Sequence, residues 1–344
     1  MSSDLARFKE LIGIAASGRA LTFEEAREAF AIMMAGDATP AQMAGFLMAL
    51  RVRGESIDEI TAGAQTLRER MNRLEAPQGA IDTCGTGGDA SGTFNISTAA
   101  ALVIAGAGVP VAKHGNRGLS SQSGSSDVLS ALGVDIEAPF AVIEHAMREA
   151  GIGFMMAPRH HGAMRHVAGP RVELGTRTIF NLLGPLANPA GVKRQVVGVF
   201  ALEWIEPLAR VLGRLGAERA WVIHGEPGLD ELSTVGVTHV AEWHRGELRR
   251  FTIEPEGFGL ARVELRALKG GDAETNAAAI RAMLGGEGGP LRDAVLLAAA
   301  AGLVVGGDAD DLAANLARAA EAVDSGRART CLDRLVRITN EERA

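Results

Sequence analysis

The segment KHGNRGLSSQSG, residues 113 to 124, sets Lys113, His114, Asn116 and Arg117 among glycines and serines. So polar a stretch cannot be core. It is either a surface loop or a holder of something anionic that offers many hydrogen-bond acceptors. Upstream, DTCGTGGDASGTFNIST (82 to 98) puts Gly85, Gly87 and Gly88 at the end of a strand-like run, and Asn95, Ser97 and Thr98 at the start of a helical one. Glycines let backbone N–H groups approach a phosphate, and a helix N-terminus adds free donors and its dipole. Alone, such a turn serves packing as readily as anion binding. Its spacing is neither a dinucleotide fingerprint nor a Walker loop. However, the next strand, VPVA (109 to 112), runs straight into the polar segment, and successive strand ends of a parallel sheet converge on one crevice. Lys113 alone would read as a surface ion pair. Beside the glycine loop, Lys113 and Arg117 read as charge for a phosphate, with Ser120, Ser121, Ser123 and Ser125 as donors.

Two further stretches could carry chemistry. In HGEPGLDELS, Asp230 and Glu231 follow a strand and a Gly-Pro turn. Adjacent acids are commonly just solvated, but a site gathering phosphates requires magnesium, which carboxylates and the substrate's own phosphates hold. The run HHGAMRHVAGPRVELGTRTIFNLLGPLANP (160 to 189) is dense in His160, His161, His166, Arg165, Arg171 and Arg177. Half of such clusters are ion-paired helix faces, and chemistry alone does not select the functional member. Zinc spacing and a G-x-S-x-G elbow are both absent.

The elements that would position these residues fall into two groups. Residues 1 to 75 read as helices only, opened by capping boxes at Thr22/Glu25, Thr39/Gln42 (with Pro40) and Ser56/Glu59. Phe23, Ala26, Phe30 and Met33, then Met43, Phe46, Leu47 and Leu50, fall at helical spacing and form either core or a subunit interface. Beyond, β-branched runs alternate with alanine-rich helices. Strands are expected at Ala80 to Thr83, Val109 to Ala112, Val134 to Glu137, Ile152 to Met156, Gln195 to Phe200 and Trp221 to His224. Helices are expected at Thr98 to Ala107, Phe140 to Ala150 and Trp204 to Leu215. Residues 238 to 254 read as a hairpin turning at HRGE, and the chain from Thr275 onward as helical. The expected fold is therefore α/β: a small N-terminal helical domain (1 to 75) plus a larger α/β domain (76 to 344) with a central, mostly parallel sheet flanked by helices.

The 344 residues carry a net charge of −7 and are 47% hydrophobic, a globular balance without the basic footprint of nucleic-acid binding. Cys84 and Cys331 lack metal-ligand spacing, and no signal-peptide pattern opens the sequence, so reduced thiols in the cytoplasm are expected. The most apolar run, AVLLAAAAGLVVGG from Ala294, falls short of the ~20 residues that span a bilayer and reads as a buried helix. No membrane or nucleic-acid partner is expected.

The segments GTGGD, NIST, KHGNR with its serines, AMRHV through LGTRTIFNLLGPLANP, and GLDE, in this order over most of the chain, resemble the anthranilate phosphoribosyltransferases of tryptophan biosynthesis. The resemblance implies transfer of a phosphoribosyl group from phosphoribosyl pyrophosphate (PRPP) to the amine of anthranilate, with Mg2+, two ions, as cofactor. It implies donor contacts at Gly85, Gly88, Asp89, Thr93, Asn95, Ile96, Ser97, Thr98, Lys113, His114, Gly115, Asn116, Arg117, Gly118, Leu119, Ser120, Ser121 and Ser125. Anthranilate would meet Gly85, Asn116 and Arg171, and magnesium would meet Ser97, Asp230 and Glu231. No side chain is implied as a dedicated acid or base. A homodimer through the helical domain, completed by helices near 165 to 190, is also implied. One departure is Gly162, where the family pattern leads one to expect proline. RGLSSQSGSSD also resembles the phosphate segment of pyrimidine-nucleoside phosphorylases, against which GLDE and the setting of Arg171 weigh.

Overall fold

The computed structural model describes residues 3–89, 91–118, 122–307 and 309–341. Four helices open the chain: α1 (Ser3–Ala16), α2 (Phe23–Ala35), α3 (Pro40–Arg53) and α4 (Ile57–Arg70). The last three begin at reciprocal capping boxes on Thr22, Thr39 and Ser56, where each hydroxyl accepts from the third helical N–H and that residue's side chain accepts from the cap. Phe8, Phe30 and Phe46 lock the bundle, with Phe8 and Phe46 centroids 5.4 Å apart. Met33 and Met43 lie inside that core.

The alternating part follows as β1 (Ile81–Gly85), α5 (Ile96–Gly106), β2 (Val111–Gly115), α6 (Ser125–Ala131), α7 (Phe140–Glu149) and β3 (Ile152–Met156). Short helices α8 (Ala157–His160), α9 (Arg165–Leu174) and α10 (Phe180–Leu183) lead to β4 (Arg194–Gly198), α11 (Ile205–Arg214) and β5 (Arg219–Gly225). The hairpin of β6 (Thr238–His244) and β7 (Glu247–Ile253) turns at Arg245 and Gly246. Four helices close the chain: α12 (Ala273–Leu284), α13 (Pro290–Gly306), α14 (Leu312–Asp324) and α15 (Arg327–Glu341). Residues 294 to 305 of α13 are buried, and among the described residues no helix is long and apolar enough to cross a membrane.

The seven strands run in the order β3-β2-β1-β4-β5-β6-β7, with β1 to β5 parallel and the hairpin antiparallel. The chain is a small helical domain beside a larger α/β domain. Side chains of β4 and β5 alternate between its two cores. Val196, Trp221 and Ile223 face the layer of α5 and α13, while Val197, Ala220 and Val222 face α11 and the N-terminal bundle. Val167, Ile179 and Leu183 join the second core, so the segment from 165 to 187 packs with the bundle.

One expected strand is absent. Val134 to Glu137 alternates like a strand, and Val134 and Ile136 are buried, but the backbone turns instead. Gly133 at φ 95° starts the turn, Val134 N donates to Leu129 O, and Ala138 N donates to Asp135 O. Burial of alternate side chains satisfied the pattern without a neighbouring strand edge to pair with.

Candidate active site

The chain runs outward from β1 to β2 and β3, then returns to lay β4 against the other side of β1. Ligand crevices open at such a reversal, above the carboxyl ends of the strands. There Gly85 and Gly198 are paired in register, and Asp230, arriving on the loop after β5, sits on both. A Cβ on Gly85 would strike the Asp230 carboxylate, and one on Gly198 its backbone. Thr86 N donates to Gly198 O (2.9 Å), and Phe200 N to Thr86 Oγ1 (3.1 Å), which fastens the glycine loop to β4.

The acids of GLDE are held by the two phosphate-type elements themselves. Gly87 N donates to Asp230 Oδ2 (2.7 Å), and Ser97 N, at the start of α5, donates to Glu231 Oε1 (3.0 Å). Burial, reinforced by the charge of Asp89, pushes the Asp230 carboxyl up to about 7. Burial and the charge of Asp230 push Glu231 up to about 8. Asp89 Oδ2 is buried and, among the described residues, has no hydrogen-bond partner. Among the described residues, no lysine or arginine side chain pairs with these acids. Lys113 is near enough to favour the Glu231 charge, but its Nζ donates to Thr83 O at 2.6 Å. Three like charges without a counter-charge are costly unless a cation joins them.

These groups face one cavity of about 970 Å3. It is lined by Gly85, Gly88, Asp89, Thr93, Asn95, Ser97, Thr98, Lys113, His114, Gly115, Asn116, Arg117, Gly118, Ser125, Arg171, Asp230 and Glu231, all singled out from the sequence. Ile96 is the exception: its side chain is fully buried in the α/β core, away from the lining. The helical period turns residue 96 inward as it turns Asn95 and Ser97 outward. Leu119, Ser120 and Ser121 lie outside the described residues. Lys113 is 1% exposed and belongs as much to the interior as to the cavity. Below it the Asp82 carboxylate accepts from Asn188 Nδ2 (2.8 Å) and His114 N (3.2 Å). Burial pushes the Asp82 carboxyl up, and the Lys113 charge opposes that rise.

The cavity's other side gathers the histidines and arginines. His114 and His161 rings lie 5.1 Å apart, both held neutral by burial, His161 near 4. Arg171 lines the cavity with its guanidinium 5.4 Å from the Phe180 ring centroid, and among the described residues it has no carboxylate partner. Burial lowers its pKa. Arg165 and Gly162 also line this side. The rest of the cluster is structural. His160 stacks on Phe140, His166 packs against Gly36, and Arg177 lies over Phe200 while donating to Gly88 O.

Some of the lining was not anticipated. Lys269, Gly270 and Gly271 come from the segment between the hairpin and α12, and Asn276 from the first turn of α12. Thr93 bridges Lys269, Phe94 N donates to Leu268 O (3.0 Å), and Gly270 N donates to Gly92 O (2.9 Å). The signal was KGGD at 269 to 272, which repeats the glycine pair and acid of GTGGD before a helix that Asp272 caps.

Comparisons with known proteins agree with this geometry. Residues 9–71 match the helical bundle domain of the Glycosyl transferase family, and residues 77–329 match its a/b domain. The chain is 60% identical to an anthranilate phosphoribosyltransferase of Paramagnetospirillum magneticum, over 98% of this chain and 97% of that protein. The crystal structure of the Thermus thermophilus anthranilate phosphoribosyltransferase superposes with a TM-score of 0.91 at 48% identity, covering 96% of this chain and 99% of that one. The Saccharomyces cerevisiae enzyme in complex with PRPP and Mg superposes with a TM-score of 0.89 at 27% identity, covering 98% of each chain. The chain belongs to the anthranilate phosphoribosyltransferase family.

Proposed function

We propose that this protein transfers the phosphoribosyl group of PRPP to the amine of anthranilate, giving N-(5-phosphoribosyl)anthranilate and pyrophosphate, in tryptophan biosynthesis. The observation that carries the reading is one cavity with two chemical ends. A glycine loop, a helix N-terminus and clustered carboxylates meet at one end, and Arg171, without a carboxylate partner among the described residues, stands at the other.

The bond from the anomeric carbon to pyrophosphate breaks ahead of attack, and oxocarbenium character develops on the sugar. The amine nitrogen then bonds to that carbon and releases its proton to solvent. An aromatic amine is neutral near pH 7 and needs no strong base, so catalysis is positioning and electrostatics. The glycine-loop N–H groups and Arg117 hold the donor's phosphates. Ser97, Asp230 and Glu231 would hold magnesium, which when bound neutralises charge on the leaving pyrophosphate. Asp230 and Glu231, with oxygens of the donor's own phosphates, would complete the coordination of two ions. The Arg171 fork pairs with the anthranilate carboxylate and turns the amine towards the anomeric carbon. Apolar contacts from Phe180 and Met164 on the acceptor side exclude water, whose attack is the competing reaction.

The same reading divides the chain near residue 75, with 165 to 190 completing the helical domain, a division supported by Val167, Ile179 and Leu183 in its core. A homodimer forms through that domain, in keeping with the exposed Val52 and Val172 on α3 and α9. The protein is cytoplasmic, in keeping with the free thiols of Cys84 and Cys331. The test of the activity mixes the protein with anthranilate, PRPP and magnesium and follows loss of anthranilate fluorescence. No loss, with phosphate-dependent release of base from thymidine or uridine instead, would reassign it to the nucleoside phosphorylases.

A further inference from the structure

Asn95 stands at the N-cap of α5, where an asparagine side chain ordinarily accepts from the second or third helical N–H and contributes ~1 kcal/mol. Here it makes no such bond. Its Oδ1 accepts instead from Asn276 Nδ2 at 2.9 Å, and its Nδ2 donates to Ser123 O at 3.1 Å. Asn276 is 1% exposed, and its own Oδ1 accepts from Gly271 N at 2.8 Å. An amide has one accepting and one donating end. Since Asn276 presents its donor, Asn95 must turn its acceptor towards it and its donor towards the serine-rich segment. Three elements are thereby joined in one polarity: the start of α12, the start of α5 and the chain leading into α6. All three contribute residues to the lining of the cavity. The start of α12 is held close to the start of α5 by the pairing of residues 92 to 94 with 268 to 270.

We infer that Asn276 is a positioning residue for the phosphoribosyl donor: it fixes the orientation of the Asn95 amide, and through Asn95 the distance between the α5 N-terminus and the serine-rich segment. The inference rests on the donor end of the cavity being the PRPP site, as in the proposed function. Asn276 touches neither reacting atom. A C-terminal helix thus sets the geometry of a site whose recognisable motifs lie between residues 85 and 125, apart from GLDE.

Asn276→Asp tests it, because the variant keeps an acceptor for Gly271 N and the same size but removes the donor that orients Asn95. The Asn95 amide then turns over and sets its oxygen against Ser123 O. Wild-type turnover of anthranilate and PRPP is measured first, and its absence would sink the underlying reading rather than this one. In active protein, Asn276→Asp is expected to raise the KM for PRPP about tenfold, with the KM for anthranilate changed less than about twofold. Calorimetric titration with PRPP should show the same loss. In an Asn95→Ala background the Asn276→Asp change should add less than about twofold, since its route runs through Asn95. Asn276→Ser, neutral and too short to reach Asn95, serves the same comparison if the aspartate variant does not fold. An unchanged KM for PRPP in a folded variant, equal effects on both substrates, or full additivity with Asn95→Ala would overturn the inference. So would failure of both Asn276 variants to fold, which would make the residue purely structural.

Discussion

Replacing Glu231 by glutamine should make the metal-free protein more stable and far less active. The side chain accepts from Ser97 N, and a glutamine oxygen can do the same. What the substitution removes is a charge that the fold disfavours, first by burial and then by the neighbouring Asp230. Because the folded pKa is raised, the unfolded chain ionises first as pH increases. The folded state therefore loses stability progressively from about pH 4.5, where a free glutamate ionises, until about pH 8, where Glu231 ionises in place. A displacement of that size corresponds to at most ~5 kcal/mol, and water reaching the half-buried side chain leaves roughly 2 kcal/mol. At roughly 2 °C per kcal/mol for a large chain, the Tm of Glu231→Gln should exceed that of wild type by about 4 °C at pH 8 without magnesium. The difference should vanish near pH 4.5. Melting curves followed by circular dichroism at both pH values, with chelator present, measure it. Turnover with saturating magnesium should fall about 100-fold or more in the same variant. A wild type as stable as Glu231→Gln at pH 8 would refute the argument that this carboxylate is held for a cation against the preference of the fold.

Gly88→Val puts a branched side chain on a residue at φ 77°, close to the Arg177 guanidinium, so PRPP affinity by calorimetry should drop severely while anthranilate still binds. Arg171→Ala should raise the KM for anthranilate more than that for PRPP, by roughly 1.5 to 3 kcal/mol in transition-state terms, with little change for aniline, which lacks the carboxylate. An unchanged anthranilate KM in the folded variant removes Arg171 from the acceptor site. Gly162→Ala should be tolerated, since a Cβ there would meet only Arg165 Nη1, at 3.7 Å. Its Tm should rise slightly, by the equivalent of ~0.5 kcal/mol, with PRPP KM unchanged, and a drop in Tm would mean that the segment depends on glycine.

What the sequence disclosed follows the range of the interactions concerned. The capping boxes at Thr22, Thr39 and Ser56 close within three residues, so each helix start was written locally. The glycine loop and the polar segment were legible because successive parallel strands deliver their ends to one side of a sheet. Val134 to Glu137 misled because alternation records only which side chains are buried, not whether a strand edge stands beside them. The bond between Asn276 and Asn95 spans 181 residues, and no local pattern encodes such a partner. Lys113 was readable as a cation at a strand end, but its attachment to Thr83 O and its effect on Asp82 depend on two strands lying side by side.

That attachment constrains how the protein can evolve. Lys113 lines the cavity and also offsets a carboxylate buried beneath it, so selection for folding and selection for substrate fall on the same ammonium group. Any neutral replacement takes away the charge that favours the ionised Asp82 carboxyl, so the buried group must ionise at a cost or take up a proton before any effect on the substrate can be felt. In a mutational library the position would score as intolerant for either reason, and the two could not be separated one substitution at a time. A joint change, such as Asp82→Asn with Lys113→Met, avoids the cost that either single change carries. The pair therefore acts as a ratchet, holding the chemistry of the cavity in place through the requirements of the sheet below it.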